Sequence, residues 1–229
     1  ESLKLVLTEE ELLQINIVIS PMGINSNLLE EKRAQKVPGA EMGDNITNLL
    51  FIGRLVEKKG VLKLLDSFAK FYEDNQNYNL LIAGYGELEG EIKNYILKNK
   101  FNNSIKFLGK VNDEQMKYLF GKSEILVVPS IKTEDDTEGM PVVIIEGLFY
   151  GKILLVSQYT NPYSVIDHKK NGFIFNIEKE NDLLNYLKHI TELNVEDKKE
   201  IKKQAKLTSF QYSSQESSRF FYDFLSFEN

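Results

Sequence analysis

The sequence predicts a doubly wound α/β domain, in which helices cover both faces of a parallel sheet. Its short apolar runs are almost uninterrupted by polar residues, as is typical of strands buried on both sides. Between these runs lie segments whose apolar residues recur with the helical period. Strands and helices that alternate in this way indicate βαβ units, which join parallel strands through right-handed crossovers.

Five apolar runs are predicted as the strands of this sheet. They are Asn48–Gly53, Asn79–Gly84, Ile105–Gly109, Glu124–Pro129 and Lys152–Val156. A further candidate strand, Ile15–Ser20, precedes them. The polar stretch that follows it, residues 23–45, contains Gly and Pro and is interpreted as a surface connection.

Apolar stripes predict the helices between and after the strands. The first stripe combines Val61, Leu64, Leu65, Phe68 and Tyr72, the second Leu88, Ile92, Tyr95 and Ile96, and the third Met116, Leu119 and Phe120. The chain is predicted to be helical from Asn181 onward, with Leu183, Leu184, Leu187 and Ile190, then a Lys-rich helix, then Phe220, Phe221, Phe224 and Leu225. Pro141 is predicted to open another helix, because its fixed φ and missing N–H suit the first helical position.

The composition of the 229 residues excludes several classes of protein. A net charge of −6 and a pI near 5.2 argue against a broad nucleic-acid-binding surface. The absence of cysteine excludes disulfides and thiolate chemistry and fits a reducing compartment. No apolar run approaches the roughly 18 residues of a membrane span, and no signal peptide is recognised. Because the chain begins at Glu1 rather than Met, we expect a processed or excised piece.

Polar residues follow four of the predicted strands where each strand ends. They are Gly53-Arg54, Gly84-Tyr85-Gly86, Lys110-Val111, and finally Ser130 and Glu138. In an open parallel sheet, ligands bind outside the carboxyl ends of the strands, at the point where the strand order reverses. These residues are therefore expected to gather on one rim and to form a binding site.

Two cations and two acids are the main candidates for this site. Arg54 and Lys59 lie between a strand and a helix, where a guanidinium and an ammonium group suit a diphosphate; the alternative is two solvated loop charges. Glu138 precedes the helix that Pro141 opens, and Glu146 lies about five residues into it, roughly 7.5 Å along the axis. The two acids are therefore expected to contact different parts of an extended ligand that carries hydroxyl and phosphate groups.

Two other patterns in the loops are interpreted as structural. The sequence GYGELEG, which begins at Gly84, resembles a dinucleotide fingerprint, but its third glycine falls one place late, so a tight turn is favoured. Asp135 and Asp136 offer carboxylate oxygens to a hard cation, yet they lack spaced ligands and a histidine partner. A solvated acidic loop is favoured there, and no metal is expected.

The histidines and a lysine-rich run are also assigned structural roles. His168 lies in a turn-like sequence, and His189 lies near a helix C-terminus, where its charge is favoured. The lysines of the run are Lys198, Lys199, Lys202, Lys203 and Lys206. A solvated helix face is favoured over contact with anionic lipid.

The ordered motifs GRLVEKKG, LLIAGYGE, IKFLGKV, ILVVPS and EGMPVVIIEGLFYGK resemble those of retaining glycosyltransferases of family 4, which have the GT-B fold. The resemblance runs from about Ile17 to the C-terminus, and the acid pair with its Gly-x-Pro is its most specific part. Members of that family have two Rossmann-like domains. The resemblance therefore implies that this chain is the C-terminal, donor-binding half, without the N-terminal domain that binds the acceptor.

The resemblance also implies roles for the charged residues. Arg54 and Lys59, with Gly53, match the group that binds the diphosphate of the donor. Glu138 matches the first acid of the pair, which lies near the transferred sugar and is important for catalysis. Glu146 matches the second acid, which hydrogen-bonds the ribose of the nucleotide.

Backbone and base contacts are implied in the same way. Gly139, Met140 and Pro141 match the turn whose main chain contacts the donor sugar and phosphates. Val111 and Ser130 fall in the region of the nucleobase contacts.

Two positions depart from the family pattern. Met22 replaces the usual Asn before Gly23, and Ser164 stands where an acidic residue is common. The second departure puts one contact to the donor sugar in doubt.

The resemblance divides the chain into three parts. Residues 1–47 are expected to be a connecting segment with a remnant of the interdomain region, and residues 48–208 a Rossmann-like domain that binds a nucleotide sugar. Residues 209–229 are expected to form a helix that crosses towards the missing domain.

The expected function is the donor-binding part of a glycosyltransferase in polysaccharide or glycolipid biosynthesis. It would bind a UDP- or GDP-linked sugar without a metal and serve retaining transfer to a saccharide or lipid-linked acceptor. The piece alone is expected to be inactive. The full-length protein is expected in the cytoplasm or, peripherally, at the inner membrane face. The alternatives are a non-catalytic nucleotide-sugar-binding or interaction module and a nucleotide-sugar epimerase.

Overall fold

Six parallel strands form one sheet in the order β3-β2-β1-β4-β5-β6. The computed structural model describes residues 24–25, 33–40, 45–133, 140–161, 164–216 and 218. The strands are β1 (Thr47–Ile52), β2 (Tyr78–Ala83), β3 (Ile105–Gly109), β4 (Ile125–Val128), β5 (Ile153–Ser157) and β6 (Phe173–Phe175). From β1 the chain moves outward to β3 and then returns to β4 on the other side, so the strand order reverses between β1 and β4.

Helices cover both faces of the sheet. They are α1 (Val61–Tyr72), α2 (Glu89–Lys98), α3 (Asp113–Lys122), α4 (Val142–Phe149), α5 (Asp182–Glu192) and α6 (Val195–Phe210). The apolar residues of α1, α2 and α5 pack on one face and those of α3 and α4 on the other, which gives two separate cores. The predicted doubly wound parallel sheet is therefore confirmed.

Helix α6 passes the amino ends of β4 and β5. The Nζ atom of Lys202 donates to Glu124, just before β4, at 2.7 Å. A Cβ atom on Gly151, just before β5, would lie 2.6 Å from the side chain of Lys206. Helix α6 therefore lies at the amino ends of the strands, opposite the carboxyl-end rim where a ligand is expected.

The five predicted strands all form, each within two residues of its predicted bounds, whereas β6 was not predicted. Strand β6 has only three residues, which is too short for an apolar run to be distinguished from a loop. Pro141 has an extended ψ of 131° and is the N-cap, so α4 begins one residue later than predicted. The candidate strand Ile15–Ser20 and the predicted helix around residues 220–225 lie outside the described residues.

Part of the segment interpreted as a surface connection is buried. Val37 and Ala40 belong to the core beneath α3 and α4. Ile24 is buried as well, and its main chain bonds to Tyr212 and Ser214 at 2.9 and 2.8 Å. The interpretation is therefore wrong for these residues, because scattered apolar side chains in a polar stretch give no periodic signal. The division at residues 47 and 208 stays a prediction.

Candidate functional site

In the loop after β1, hydrogen bonds hold the main chain around Arg54, and its side chain is exposed to solvent. The main-chain N–H of Gly53 donates to the carbonyl oxygen of Ala83 at 3.1 Å, which continues the β1–β2 ladder one residue beyond the end of β1. On the other side of Arg54, the N–H of Leu55 donates to Tyr85 at 2.8 Å, and the Leu55 side chain is fully buried. Because its neighbours are anchored on both sides, Arg54 is held at the rim while its side chain is exposed.

The loops after β1 and β4 are in direct contact. The N–H of Ile131 donates to the carbonyl oxygen of Lys58 at 2.8 Å. A Cβ atom on Gly60, whose φ is 67°, would lie 1.9 Å from the carbonyl oxygen of Pro129. Only glycine permits this close approach. Lys59, which is partly buried in a short 3-10 helix (Glu57–Lys59), is therefore located at the point where the strand order reverses.

The glycine turn after β2 is structural, in agreement with its interpretation as a turn. Gly84 has a φ of 151°, and a Cβ atom there would lie 1.9 Å from the carbonyl oxygen of Gly53. Tyr85 is exposed, and the Nζ atom of Lys110 lies 5.2 Å from the centroid of its ring. This cation–π contact joins the carboxyl ends of β2 and β3.

The structure does not bring Val111 and Ser130 to neighbouring strands. Val111 follows β3 and Ser130 follows β4, and two strands separate them in the sheet. Neighbouring strands are about 4.8 Å apart, so the two strand ends are separated by about 14 Å. A common role in nucleobase contact requires the loops to bridge this gap, and the role of each residue stays a prediction.

Ser130 is fully buried at the end of β4. Its carbonyl oxygen accepts a hydrogen bond from the hydroxyl of Ser157 at 2.5 Å. Its own hydroxyl oxygen has no hydrogen-bond partner within the described residues. Such a group is destabilising unless a water or a ligand satisfies it.

Glu146 is partly buried in α4, and it is the fifth residue of this helix because α4 begins one residue later than predicted. Burial, with a smaller contribution from the charge of Asp113, raises the pKa of Glu146 to about 7. Asp113 is the first residue of α3, and an Asn112–Gln115 capping box fixes the start of that helix. Burial, followed by the charges of Glu146 and Asp113, raises the pKa of Tyr150 to about 12. The pKa of Glu146 therefore lies near neutral pH, with burial as the main cause.

The N-terminus of α4 lies at the carboxyl-end side of the sheet, because this helix follows β4. Its N-cap is Pro141, and no side chain caps it in the part of the chain that the structure describes. Pro141 is buried, and the partly buried side chain of Met140 packs against the core. Glu138 and Gly139, however, lie outside the described residues, so the role that the family resemblance implies for Glu138 stays a prediction.

The structure agrees with structural roles for the histidines. The Nδ1 atom of His168 accepts a hydrogen bond from the N–H of Ile174 at 3.0 Å, and its Nε2 atom lies 3.2 Å from the Tyr186 hydroxyl. Burial, followed by the charge of Lys169, lowers the pKa of His168. His189 is exposed in the last turn of α5, as predicted.

A metal-binding cluster is not found among the residues that the structure describes. Asp135 and Asp136 lie outside them, so a metal-free site stays an expectation. No helix in the described ranges is long and apolar enough to cross a bilayer.

Two features of the site were missed from the sequence. Asp113 was not considered, although Asn112 and Gln115 have the spacing of a capping box and place it at a helix start. Ser157 was not considered either, because the fifth strand was predicted to end at Val156.

Comparison with known proteins identifies the family. The sequence profile of the family described as "Glycosyl transferases group 1" matches residues 31–208. The chain belongs to this family. As a group 1 glycosyltransferase sequence, it spans between 31% and 43% of the length of the first curated relatives that it matches.

One relative, from Campylobacter jejuni, is 35% identical over 114 residues, which is 49% of this chain and 29% of that protein. Its name describes an alpha-1,4-N-acetyl-D-galactosaminyltransferase that acts on a PP-undecaprenol-linked saccharide.

Solved structures of glycosyltransferases share this fold. The C-terminal domain of a group 1 glycosyl transferase, LpcC from Francisella tularensis, aligns over 84% of this chain and 100% of its own length, with a TM-score of 0.69 and 12% identity. Anabaena HepE, solved in complex with UDP and glucose, aligns over 91% of this chain and 56% of its own, with a TM-score of 0.74 and 19% identity. At these identities the likeness shows the GT-B type of fold alone.

Proposed function

We propose that this chain is the donor-binding half of a retaining, metal-independent glycosyltransferase of family 4. It binds a nucleoside-diphosphate sugar and, together with an acceptor-binding domain, transfers the sugar to a saccharide or lipid-linked acceptor. The observation that carries this proposal is the contact between the β1 and β4 loops, which places Arg54 and Lys59 where the strand order reverses. In sheets of this topology, that position is the ligand-binding crevice.

Arg54 and Lys59 are proposed to hold the donor diphosphate. When the sugar is transferred, the departing nucleoside diphosphate gains negative charge, and fixed cations stabilise that charge in the transition state. The N-terminus of α4, for which the described residues provide no side-chain cap, adds a positive end of about half a unit charge. These groups supply the electrostatic stabilisation that a metal ion supplies in other enzymes.

Glu146 is proposed to bind the ribose. A carboxylate accepts hydrogen bonds from two neighbouring hydroxyls, which is the pattern that a ribose diol presents. Its location on α4, beyond the helix N-terminus, suits a ligand whose phosphates lie at that N-terminus and whose nucleoside extends towards α3. Glu146 acts in this role as the ionised form.

Glu138 and the turn Gly139–Pro141 are proposed to orient the donor sugar. The assignment rests on the family resemblance of EGMPVVIIE, since Glu138 and Gly139 lie outside the described residues. In this mechanism Glu138 positions the sugar for transfer on one face through an oxocarbenium-like state and forms no stable covalent bond. Because the acceptor site belongs to a second domain, this piece alone binds the donor without appreciable transfer.

The relatives support this choice of ligand class. HepE was solved with UDP and glucose, and the Campylobacter jejuni protein is named for transfer to a lipid-linked saccharide. We therefore propose UDP- or GDP-linked sugars as donors and polysaccharide or glycolipid biosynthesis as the process. The full-length protein is proposed to act in the cytoplasm.

Isothermal titration calorimetry with UDP, GDP and UDP-glucose tests the proposal. Hydrogen bonds to charged groups are worth about 1.5–3 kcal/mol, so Arg54→Ala and Lys59→Ala should each weaken binding by about 10- to 100-fold. Lys98→Ala is the matched control, because Lys98 is an exposed lysine in the last turn of α2, away from the rim. Folded wild-type protein that binds none of these ligands would contradict the proposal.

A further inference from the structure

Strand β6, at one edge of the sheet, is held by few hydrogen bonds. It has three residues and, among the strands that the structure describes, pairs only with β5. Elements with few contacts open at a lower free energy than the centre of a sheet does. A contact on the side of β6 that faces away from β5 therefore contributes strongly to keeping this strand in place.

The imidazole of His168 supplies such a contact. The main-chain N–H of Ile174, the central residue of β6, donates to the Nδ1 atom of His168 at 3.0 Å, on the side away from β5. A tight turn brings the ring to this position, because the N–H of Lys169 donates to the carbonyl oxygen of Gly172 at 2.7 Å. The ring therefore occupies the place that a further strand would otherwise take.

The hydrogen bond from Ile174 requires a neutral imidazole. A main-chain N–H only donates, so Nδ1 accepts through its lone pair and the single proton of the neutral ring lies on Nε2. The Nε2 atom lies 3.2 Å from the hydroxyl oxygen of Tyr186 on α5, to which it then donates. Protonation of Nδ1 would place two N–H donors against each other and would remove the bond to Ile174.

The surroundings of the ring favour this neutral form. Burial, followed by the charges of Lys169 and His189, lowers the pKa of His168. The charges of Asp167 and Asp182 act in the opposite direction but are the smaller causes. The ring thus lies where a proton is taken up only below the pH at which a free histidine takes one up.

The two acids near the ring already have cationic partners. Asp167 pairs with Lys170 at 3.1 Å, and Asp182 pairs with Lys179 at 3.0 Å. Among the described residues, neither carboxylate is bonded to His168. A protonated imidazole would therefore lose its bond to β6 without gaining a carboxylate in exchange.

We propose that His168 is a pH-sensitive latch on the edge strand β6. The neutral ring holds β6 through Ile174 and α5 through Tyr186, and protonation releases the strand from the turn that carries the ring. The folded-state pKa is lower than the ordinary value of 6.5, so folding favours the neutral form. The contribution of the latch to stability is fully present above pH 6.5 and is lost as the pH falls from there through the folded-state pKa.

The turn itself stays anchored when the latch opens. The Nδ2 atom of Asn171 donates to the carbonyl oxygen of Val165 at 3.0 Å and to the Thr208 hydroxyl at 2.9 Å. Its Oδ1 atom accepts from the main-chain N–H of Asp167 at 2.7 Å. None of these three bonds involves a titrating group, so the release is confined to β6 and its contact with α5.

The carboxyl end of β6 joins the latched strand to the rim of the sheet. In the loop after β5, the Nε2 atom of Gln158 donates to Oδ1 of Asn176 at 2.9 Å, and its Oε1 atom accepts from the N–H of Ile177 at 2.9 Å. This part of the rim lies beyond β5, whereas the candidate donor crevice lies between β1 and β4. The latch does not depend on the proposed enzymatic function.

Amide hydrogen exchange, followed by NMR between pH 7.5 and pH 4.5, tests the latch. After correction for the intrinsic exchange rates, the protection of the Ile174 N–H should fall by at least about tenfold at the lower pH, because the donor loses its acceptor. The amides of β1 and β2, in the middle of the sheet, should keep their protection. The nitrogen resonances of the His168 ring should show an unprotonated Nδ1 atom at pH 7.5.

His168→Asn is the matched variant, because an amide oxygen can accept the bond in place of Nδ1 and does not titrate. It should keep the protection of Ile174 within about threefold at both pH values. His168→Ala should show protection reduced by about tenfold at both. His189→Asn, which changes the exposed histidine of α5, should retain the pH dependence of the wild type.

Protection of Ile174 that stays constant in the wild type between the two pH values would overturn the proposal. So would an equal decline in His168→Asn, because another group would then be responsible. If His168→Ala does not fold, the comparison of wild type with His168→Asn decides alone. UDP binding at pH 7.5 should agree within about twofold in these two proteins, and its absence from both would count against the donor site but not against the latch.

Discussion

The main-chain N–H of Ile131 donates to the carbonyl oxygen of Lys58 at 2.8 Å, so the loops after β1 and β4 are bonded across the point where the strand order reverses. Neither residue contributes a side chain to this contact. The hydrogen bond joins the loop that carries Arg54 and Lys59 to the loop that leads to α4. The relative positions of the proposed phosphate-binding groups therefore depend on the main chain of two loops.

Gly60→Ala is expected to destabilise the fold. Its Cβ atom would overlap the carbonyl oxygen of Pro129 at 1.9 Å, and its φ of 67° is unfavourable for alanine. We expect a loss of about 2–4 kcal/mol in the free energy of unfolding, measured by urea denaturation. Gly90→Ala, in α2, is the matched control because nothing lies within 4 Å of its Cβ position. It should raise the stability by up to about 1 kcal/mol, and equal effects of the two changes would contradict this account.

Glu146→Gln is expected to flatten part of the pH dependence of stability. The pKa of Glu146 is raised in the folded state from 4.5 to about 7, so folding favours its protonated form. Its contribution to stability is fully present below pH 4.5 and is lost as the pH rises through 7. The free energy of unfolding of Glu146→Gln, relative to that of wild type, should therefore rise by about 1–3 kcal/mol between pH 4.5 and pH 8. Urea denaturation at both pH values measures the free energy of unfolding of each protein. A difference between variant and wild type that does not change with pH would refute the raised pKa of Glu146.

Nucleotide binding should strengthen as the pH rises through 7 if ionised Glu146 accepts the ribose hydroxyls. The gain should approach a plateau near pH 8, because the carboxylate is then almost fully ionised. Calorimetry with UDP between pH 5.5 and pH 8.5 measures it, and in Glu146→Gln the same series should be flatter, close to wild type at pH 5.5 and weaker at pH 8.5. An unchanged pH profile in the variant would remove Glu146 from the ribose site.

Asp113→Asn is expected to lower the pKa of Glu146. The charge of Asp113 is the second cause of the raised pKa, after burial, so its removal should leave a smaller upward shift. NMR titration of the Glu146 carboxyl carbon measures the pKa directly. Glu114→Gln, the neighbouring acid in the first turn of α3, is the control. Equal effects of the two substitutions would show that the general field of the helix, rather than Asp113, acts on Glu146.

Ser130→Ala is expected to cost little or no stability. The Ser130 hydroxyl oxygen is buried without a partner among the described residues, so its removal relieves an unsatisfied group. Ser123→Ala is the matched comparison, since its buried hydroxyl donates to the carbonyl oxygen of Leu119 at 2.7 Å. Calorimetric unfolding should show a loss of about 1 kcal/mol for Ser123→Ala and a change between zero and a gain of about 1 kcal/mol for Ser130→Ala. A larger loss for Ser130→Ala would show that a water or another residue satisfies its hydroxyl.

Much of the fold could be predicted from the sequence because buried parallel strands leave a clear apolar signal. The apolar runs that form β1 to β5 are long enough to be recognised. Because the strands are parallel, their carboxyl ends lie at the same end of the sheet, whatever the strand order. Arg54 and Lys59 could therefore be assigned to the rim without coordinates. The three residues of β6 could not be recognised, because a short apolar run also fits a loop.

The raised pKa of Glu146 could not be predicted because it depends on tertiary packing. Its causes are burial and the charge of Asp113, a residue that follows a different strand. Sequence spacing carries no information about such a pair. The burial of Val37 and Ala40 was missed for a similar reason, since their contacts are with distant parts of the chain.

The bonds of Ile24 to Tyr212 and Ser214 have a mechanical consequence. The stretch that leads into the sheet and the stretch that leaves the last long helix are tied together at one place. Any pull or rotation applied through these two stretches acts on a single corner of the domain.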